Sequence, residues 1–401
     1  MTLLPKDRPV PVPVSPSFLW GAATSPHQVE GNNTASDLWA LENAPGSPLP
    51  DRSGDACDSY HRWREDLDLV CDLGLNAYRF GIEWARVEPV PGHLSRAALA
   101  HYRRMIEGCL ERGLTPVVTL HHFTSPAWFR HGGGWTGPDG IQRFTDYVRA
   151  VRPILDGVPW VCTINEPNML AMVAARLRHD APDLVAGALP PPDQGLADAL
   201  VAAHHAARAE LADLDGTASG WTVANQTFQA LPGAEAVTEE WAWSRENQFL
   251  DAARADDFIG VQAYTRVVIG PDGPVPTDPA ARRTQTGWEF YPEALEYAVR
   301  HTAGRIPVPI LVTENGIATA DDGERREYTQ RALAGLGRAV ADGVDVRGYL
   351  HWSLLDNYEW GSWAHTFGLV AVDRQTFRRT VKPSAHWYSD VARSSRLPDD
   401  R

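Results

Sequence analysis

Two runs of this chain end in a glutamate placed where acid–base or nucleophilic chemistry could use it. Trp160–Glu166 closes on Asn165-Glu166-Pro167, and Ile310–Glu314 closes on Thr313-Glu314-Asn315-Gly316. Singly, neither is informative. A Glu before Pro is the ordinary end of a strand, because Pro167 cannot extend a central ladder. A Glu before Asn-Gly is the ordinary solvated turn residue. Other polar and aromatic groups end or follow similar runs. Arg79 and Glu83 lie on Ala77–Trp84, His121 and His122 end Pro116–Phe123, and Tyr264 ends Phe258–Tyr264. His27, Gln28 and Glu30 follow Phe18–Thr24, while Trp352, Asp356, Asn357, Glu359 and Trp360 lie on and beyond Val346–Leu354. Successive strand residues point to opposite faces, so at most one of His121 and His122 enters an interior. No compact metal-ligand spacing such as HExxH accompanies them, so no metal site is expected. His204 and His205 read as surface or packing residues of a helix, and Asp66, Asp68 and Asp72 as one solvated helix face.

The elements that must position these groups can be counted. The eight runs predicted as strands are Phe18–Thr24, Ala77–Trp84, Pro116–Phe123, Trp160–Glu166, Ala218–Asn225, Phe258–Tyr264, Ile310–Glu314 and Val346–Leu354. Between them, apolar residues recur at spacings of three and four, as helices require. Tyr60–Leu73 and Leu99–Arg112 are each closed by a glycine, Gly74 and Gly113. Further helices are predicted at Ile141–Leu155, Leu196–Asp213, Glu239–Ala253, Pro292–Thr302, Glu324–Asp342 and Pro383–Ala392. Eight strands alternating with helices predict a parallel sheet closed into a (β/α)8 TIM barrel, an α/β fold. The doubly wound alternative would want a GxGxxG turn after an early strand, and Gly21 stands alone in the first. Residues 1–401 form one domain on this reading, with frayed termini at 1–13 and 393–401 and surface excursions at Leu189–Gln194 and Gly270–Pro279.

In such a barrel the chemistry gathers at the C-terminal ends of the strands. Glu166 and Glu314 then stand on strands four and seven, on opposing sides of one mouth. Amides, carboxylates, His and Trp converging there describe a site for a neutral, hydroxyl-rich ligand. A carboxyl pair across a sugar-sized gap is what cleavage of a glycosidic bond requires.

Composition excludes other classes. An apolar fraction of 43% lets 401 residues bury a large core, so the chain is not intrinsically disordered. Thirty-seven basic against 51 acidic side chains leave a net charge of −14. That balance lacks the footprint of a nucleic-acid binder and suits anionic membranes poorly. Fifteen Trp outnumber 11 Tyr and 11 Phe, and an indole offers a flat apolar face for stacking under a polar ring. No secretory h-region and no apolar run long enough to span a bilayer is visible. Cys57, Cys71, Cys109 and Cys162 have no CxxC spacing and read as reduced thiols in a cytoplasmic protein.

The runs "FLWGAATSPHQVEG", "YRFGIEWARVEP", "TPVVTLHHF", "TINEPN", "VTENG" and "GYLHWSLLDNYEWGS" with "FGLVAVD" resemble, in order, the signature blocks of family 1 glycoside hydrolases. They span Phe18 to Asp373, and jointly they are far more specific than any one of them. The resemblance implies a β-glycosidase that retains configuration and needs no cofactor. Glu166 is implied as acid/base and Glu314 as nucleophile, with carboxyl groups about 5–5.5 Å apart. Arg79 and Tyr264 match positions that support the nucleophile. Gln28, His122, Asn165, Glu359 and Trp360 match positions that hold sugar hydroxyls, and Trp352 the platform beneath the ring. The family's 6-phosphosugar enzymes carry Ser in place of Glu359 and a Lys after it. Gly361–Thr366 holds neither Lys nor Arg, so a free sugar is implied. Thioglucoside-cleaving members carry Gln at the acid/base position, so Glu166 implies O-glycosides. The expected partner is thus a small β-O-glycoside, most simply a β-glucoside. Departures are Phe123 where many relatives have Trp, Gln262-Ala263 where they have Asn-Tyr, and the short "GSWAHT". Trp128, Trp288 and Trp363 are candidates to line the aglycone side, and packing is the competing role for Trp128 and Trp288. Transglycosylation by the same residues, and sugar binding without turnover, remain as alternatives, and the oligomeric state is open.

Overall fold

The computed structural model describes residues 11–179 and 189–399. All eight predicted strands form. They are β1 Leu19–Ala23, β2 Ala77–Gly81, β3 Thr115–Thr119, β4 Trp160–Asn165, β5 Ala218–Ala224, β6 Ile259–Gln262, β7 Ile310–Glu314 and β8 Val346–Trp352. Each pairs parallel with its sequence neighbours, and β8 returns to β1, closing the barrel. Every strand position is buried except for β8's Arg347 and the leading residues of β3, β4 and β5. Continuous burial explains why these runs read as unbroken apolar segments rather than alternating ones.

Several predicted strands stop two to four residues early, because the chain turns off the ladder at the barrel mouth. Trp84 starts a one-turn helix, Trp84–Val87, capped by Glu83, whose carboxylate accepts from Ala85 N at 3.1 Å. The helices around the barrel match their periodicity, from Ser59–Asp72 to Pro383–Ser394. Several short helices go unpredicted, and so does the longer Pro167–His179, because Pro167 reads as a strand stop. It is instead the first helical residue, where a missing N–H costs nothing. The predicted Glu239–Ala253 helix contains a π turn over Trp243–Asn247.

Two expectations are corrected. The termini are not frayed over their described part: Val12–Pro13 pairs antiparallel with Arg396–Leu397, and Leu397 is fully buried. Asp66 does not face solvent. Its carboxylate meets Arg379 at 2.9 Å, with both side chains only 1% exposed. Gly270–Pro279 is the mostly exposed excursion expected, and its base is held in a small sheet in which Val267–Gly270 lies between Gly273–Pro274 and Phe228–Ala230. His204 is a packing residue, buried against Trp221 and bonded to Thr163 at 2.7 Å. All four cysteines are unpaired, and no helix among the described residues is long and apolar enough to cross a membrane.

Candidate active site

The mouth of the barrel is organised around one buried guanidinium. Arg79, on β2, is fully buried. Its Nη1 donates to Glu314 Oε1 at 2.5 Å, its Nη2 to Asn165 Oδ1 at 2.5 Å, and its Nε to Thr119 Oγ1 at 3.0 Å. One planar fork therefore ties β2 to β3, β4 and β7. Tyr264, just past β6, donates its hydroxyl to Glu314 Oε2 at 2.6 Å. Both oxygens of Glu314 are thus held by donors that favour the anion.

Glu314 also departs from the solvated-turn expectation. It is 4% exposed, and Asn315 is fully buried. Asn315 Nδ2 donates to Ala263 O at 2.6 Å, and Tyr349 donates to its Oδ1 at 3.0 Å. A Cβ on Gly316 would lie 2.0 Å from Trp352 O, so the turn after β7 presses directly on the end of β8 and needs glycine.

Glu166 follows β4 in left-handed backbone, φ 46°, with its N–H donating to Thr222 O at 2.8 Å. Such a conformation is costly for a non-glycine residue, and it turns the carboxyl off the ladder toward Glu314 and Arg79. Burial raises the affinity of both carboxyls for a proton. On Glu314 the rise is opposed by Arg79, by the Tyr264 hydroxyl and by Gln262. On Glu166 burial is reinforced by the charge of Glu314 and opposed only by Arg79, and it is driven well above the usual carboxylate range. The pair is thus polarised: the proton belongs on Glu166 and the charge on Glu314.

Strands β1, β3 and β8 supply the rest. Gln28 Nε2 donates to Asn357 Oδ1 at 2.9 Å and to Glu359 Oε2 at 3.0 Å, while Trp352 Nε1 donates to Glu359 Oε1 at 3.2 Å. These neutral donors do not offset burial, which, with the charge of Glu314, pushes Glu359 up to about 8. His122 stacks against Trp352 and Trp360, each at 5.9 Å between centroids, while His121 turns outward to Ser125 and Trp135. Burial, then Arg79 and His121, hold His122 well below its ordinary value, so it is a neutral imidazole. Among the described residues, His122 Nδ1, Asn165 Nδ2 and Gln262 Oε1 are buried polar atoms without a protein partner. A bound hydroxyl-rich ring would satisfy such groups. No grouping of described His, Cys, Asp and Glu forms a metal cage.

The three aglycone candidates separate. Trp288 is 38% exposed and lies 5.7 Å from Tyr264, at the rim of the mouth. Trp128 is a packing residue, its indole N–H donating to Glu88 O at 2.8 Å and its ring edge-on to Trp84. Trp363 is turned toward the Asp51–Arg52 segment: its indole donates to Arg52 O, and its ring lies between Tyr358 and the Arg374 guanidinium. Sequence reasoning left Thr119, Thr222 and Asn357 without roles and noted Gln262 only as a departure. A threonine inside a strand looks like any β-former, so nothing marked the first two.

The comparisons agree with this arrangement. Residues 12–257 and 261–397 match the family described as Glycosyl hydrolase family 1. Beta-glucosidase A of Thermotoga maritima is 30% identical, over 95% of this chain and 98% of its own. A bifunctional beta-D-glucosidase/beta-D-fucosidase of Bifidobacterium breve is 32% identical, over 92% and 96%. A solved beta-glycosidase from Pyrococcus horikoshii superimposes with a TM-score of 0.88 at 36% identity, covering 98% of this chain and 97% of that one. With the signature blocks folded into one barrel mouth and the match running nearly end to end, the chain belongs to glycosyl hydrolase family 1 and is a glycoside hydrolase.

Proposed function

We propose that this enzyme hydrolyses non-phosphorylated β-O-glycosides, β-glucosides foremost, with retention of configuration through a covalent glycosyl-enzyme. The observation that carries the assignment is the asymmetry of the carboxyl pair. Arg79 and Tyr264 grip Glu314, and among the described residues nothing comparable grips Glu166. Glu314 attacks the anomeric carbon as Glu166 protonates the departing oxygen. Esterification then removes the charge of Glu314. Glu166, left with Arg79 as its charged neighbour, loses its proton more readily and serves as base for the incoming water.

Asn165 Nδ2 is the donor for the sugar 2-hydroxyl, a contact that strengthens in the transition state. Trp352 supports the ring, and Gln28, His122, Glu359 and Trp360 take the remaining hydroxyls. Trp288 offers a rim surface to the aglycone. We further read residues 1–401 as one catalytic domain, working in the cytoplasm as its unpaired thiols suit, with neither nucleic acid nor membrane as a partner.

The test is Glu314→Ala. Turnover of 4-nitrophenyl β-glucoside should vanish, and azide should restore it with the α-glycosyl azide as product. A β-azide would mean that the two carboxyls have exchanged roles.

A further inference from the structure

Glu166 keeps its place without help from its own side chain. Its carboxyl forms no hydrogen bond with the described residues, whereas both oxygens of Glu314 are held. The backbone must therefore aim it, and the backbone there is strained, with φ at 46°. A non-glycine residue persists in left-handed backbone only where its surroundings over-determine it.

The barrel fixes the chain before Glu166. Asn165 N donates to His121 O, just past β3, and Glu166 N donates to Thr222 O on β5, each at 2.8 Å. Asn168 fixes the chain after it. This residue ends the TINEPN block and is the second of the Pro167–His179 helix. It is fully buried. Its Nδ2 donates to Ala224 O at 2.8 Å and to Arg245 O at 2.9 Å, and its Oδ1 accepts from Ala224 N at 3.2 Å. Ala224 ends β5, two residues after Thr222, and Arg245 lies in the π turn over Trp243–Asn247. Strand β5 thus holds the chain on both sides of Glu166, at Thr222 before it and at Ala224 after it.

Both amide hydrogens and the amide oxygen of Asn168 are spent on backbone groups of two other elements. Leucine has the same branched outline and a higher helix propensity. Packing and propensity therefore do not explain an asparagine here, whereas the three bonds do.

We propose that Asn168 is a positioning residue for Glu166: by clamping the first turn of the following helix to β5 and to the π turn, it holds Glu166 in left-handed backbone and its carboxyl toward Glu314. Asn168 takes this role only if Glu166 is the acid/base, the reading given under Proposed function.

The experiment uses Asn168→Leu, which removes all three bonds and keeps the outline, and Asn168→Ala, which removes them without adding bulk. Two readouts are taken that do not depend on the folded fraction. The first is the ratio of kcat/KM for 2,4-dinitrophenyl β-glucoside to that for phenyl β-glucoside. The second is the rate constant for trapping by 2,4-dinitrophenyl 2-deoxy-2-fluoro-β-glucoside. In both variants the ratio should rise about 10–100-fold, because the phenyl leaving group needs an acid in the right place and a displacement of roughly 1 Å is costly. Trapping should stay near the wild-type rate, because the dinitrophenyl group needs little acid help. In a Glu166→Gln background, Asn168→Ala should leave the ratio where Glu166→Gln alone puts it. Variants that are slower on both glucosides alike, with the ratio unchanged, would overturn the proposal and leave Asn168 a packing residue. A trapping rate that falls as far as turnover of the phenyl glucoside would overturn it too, since the disturbance would then reach Glu314. If Glu166→Gln alone leaves the ratio unchanged, it is the acid role of Glu166 that fails, and the positioning role with it.

Discussion

Removing the Tyr264 hydroxyl isolates the electrostatics of Glu314, the proposed nucleophile. The hydroxyl lies 2.6 Å from Glu314 Oε2, a short O–H donation to a carboxylate. Hydrogen bonds to charged groups contribute ~1.5–3 kcal/mol, and 1.36 kcal/mol corresponds to one pH unit. Tyr264→Phe should therefore raise the pH at which Glu314 gains its proton by about one to two units. The sign follows from the donor's preference for the anion: without it the proton binds more readily, and the nucleophile is lost at higher pH. The ring itself stays packed between Trp288 at 5.7 Å and Phe367 at 6.0 Å, so phenylalanine keeps the shape of the site. The assay is the pH dependence of trapping by the dinitrophenyl fluoroglucoside. Its leaving group needs little acid help, so the acidic limb reports Glu314 rather than Glu166. Tyrosine ionisation does not intrude, because burial and the charges of Glu314 and Glu166 hold Tyr264 well above its ordinary range. A limb that stays in place, or moves down, would refute the claim that Tyr264 favours the anion.

Glu166→Gln should slow poor leaving groups by about 10²–10⁴ while sparing dinitrophenyl glycosides, and it should abolish the basic limb of the pH profile. Equal losses across a leaving-group series would remove Glu166 from the acid role. Glu359→Gln should lower activity yet raise Tm, most clearly near pH 9. A folded-state value of about 8 lies above the ordinary carboxylate, so Glu359 withdraws stability as pH rises through that range. A variant less stable than wild type at pH 9 would contradict this. Aryl 6-phospho-β-glucosides should be poorer substrates than their free-sugar parents, by a factor that grows as pH passes 8 and Glu359 ionises. Like charges a few Å apart cost roughly 4 kcal/mol at an effective dielectric near 20. Below pH 8 the protonated carboxyl avoids part of that cost, so the discrimination there rests on the missing cation. A phosphorylated substrate that is equal or better would show a basic group reaching the pocket, with Arg374, now stacked on Trp363, the first to examine.

The barrel was legible because each strand is buried on both faces and each is bounded by turn chemistry. The helix at Pro167 was not, since one proline serves equally as strand stop and helix start. Asp66 misled for a related reason: three acids close together on one helix look solvated until Arg379, more than 300 residues away, is folded against one of them. At the mouth, motif order placed Glu166, Glu314, Arg79 and Tyr264, and each is found there. The signature could not separate Trp288 from Trp128 and Trp363. A tryptophan's role depends on what covers its faces, and those neighbours come from distant loops. Gln262 was visible only as an odd letter in a familiar block. Its side chain donates to Asn165 Oδ1 at 2.9 Å, a contact that only the closed barrel brings about.

Under the proposed roles one site performs two opposite proton transfers, and the surroundings of the two carboxyls suit that task. Glu166 has few electrostatic neighbours: burial and Glu314 raise its proton affinity, and Arg79 lowers it. With so short a list, neutralising Glu314 by ester formation must swing Glu166 strongly. Among the described residues no fixed donor network of its own holds it to either state. Glu314 is built the opposite way, with donors on both oxygens, because it must stay charged until it reacts. The tight grip on one carboxyl and the loose surroundings of the other are therefore one arrangement. Adding a permanent cation or a strong donor beside Glu166 would fix its charge, and it would forfeit either the acid step or the base step.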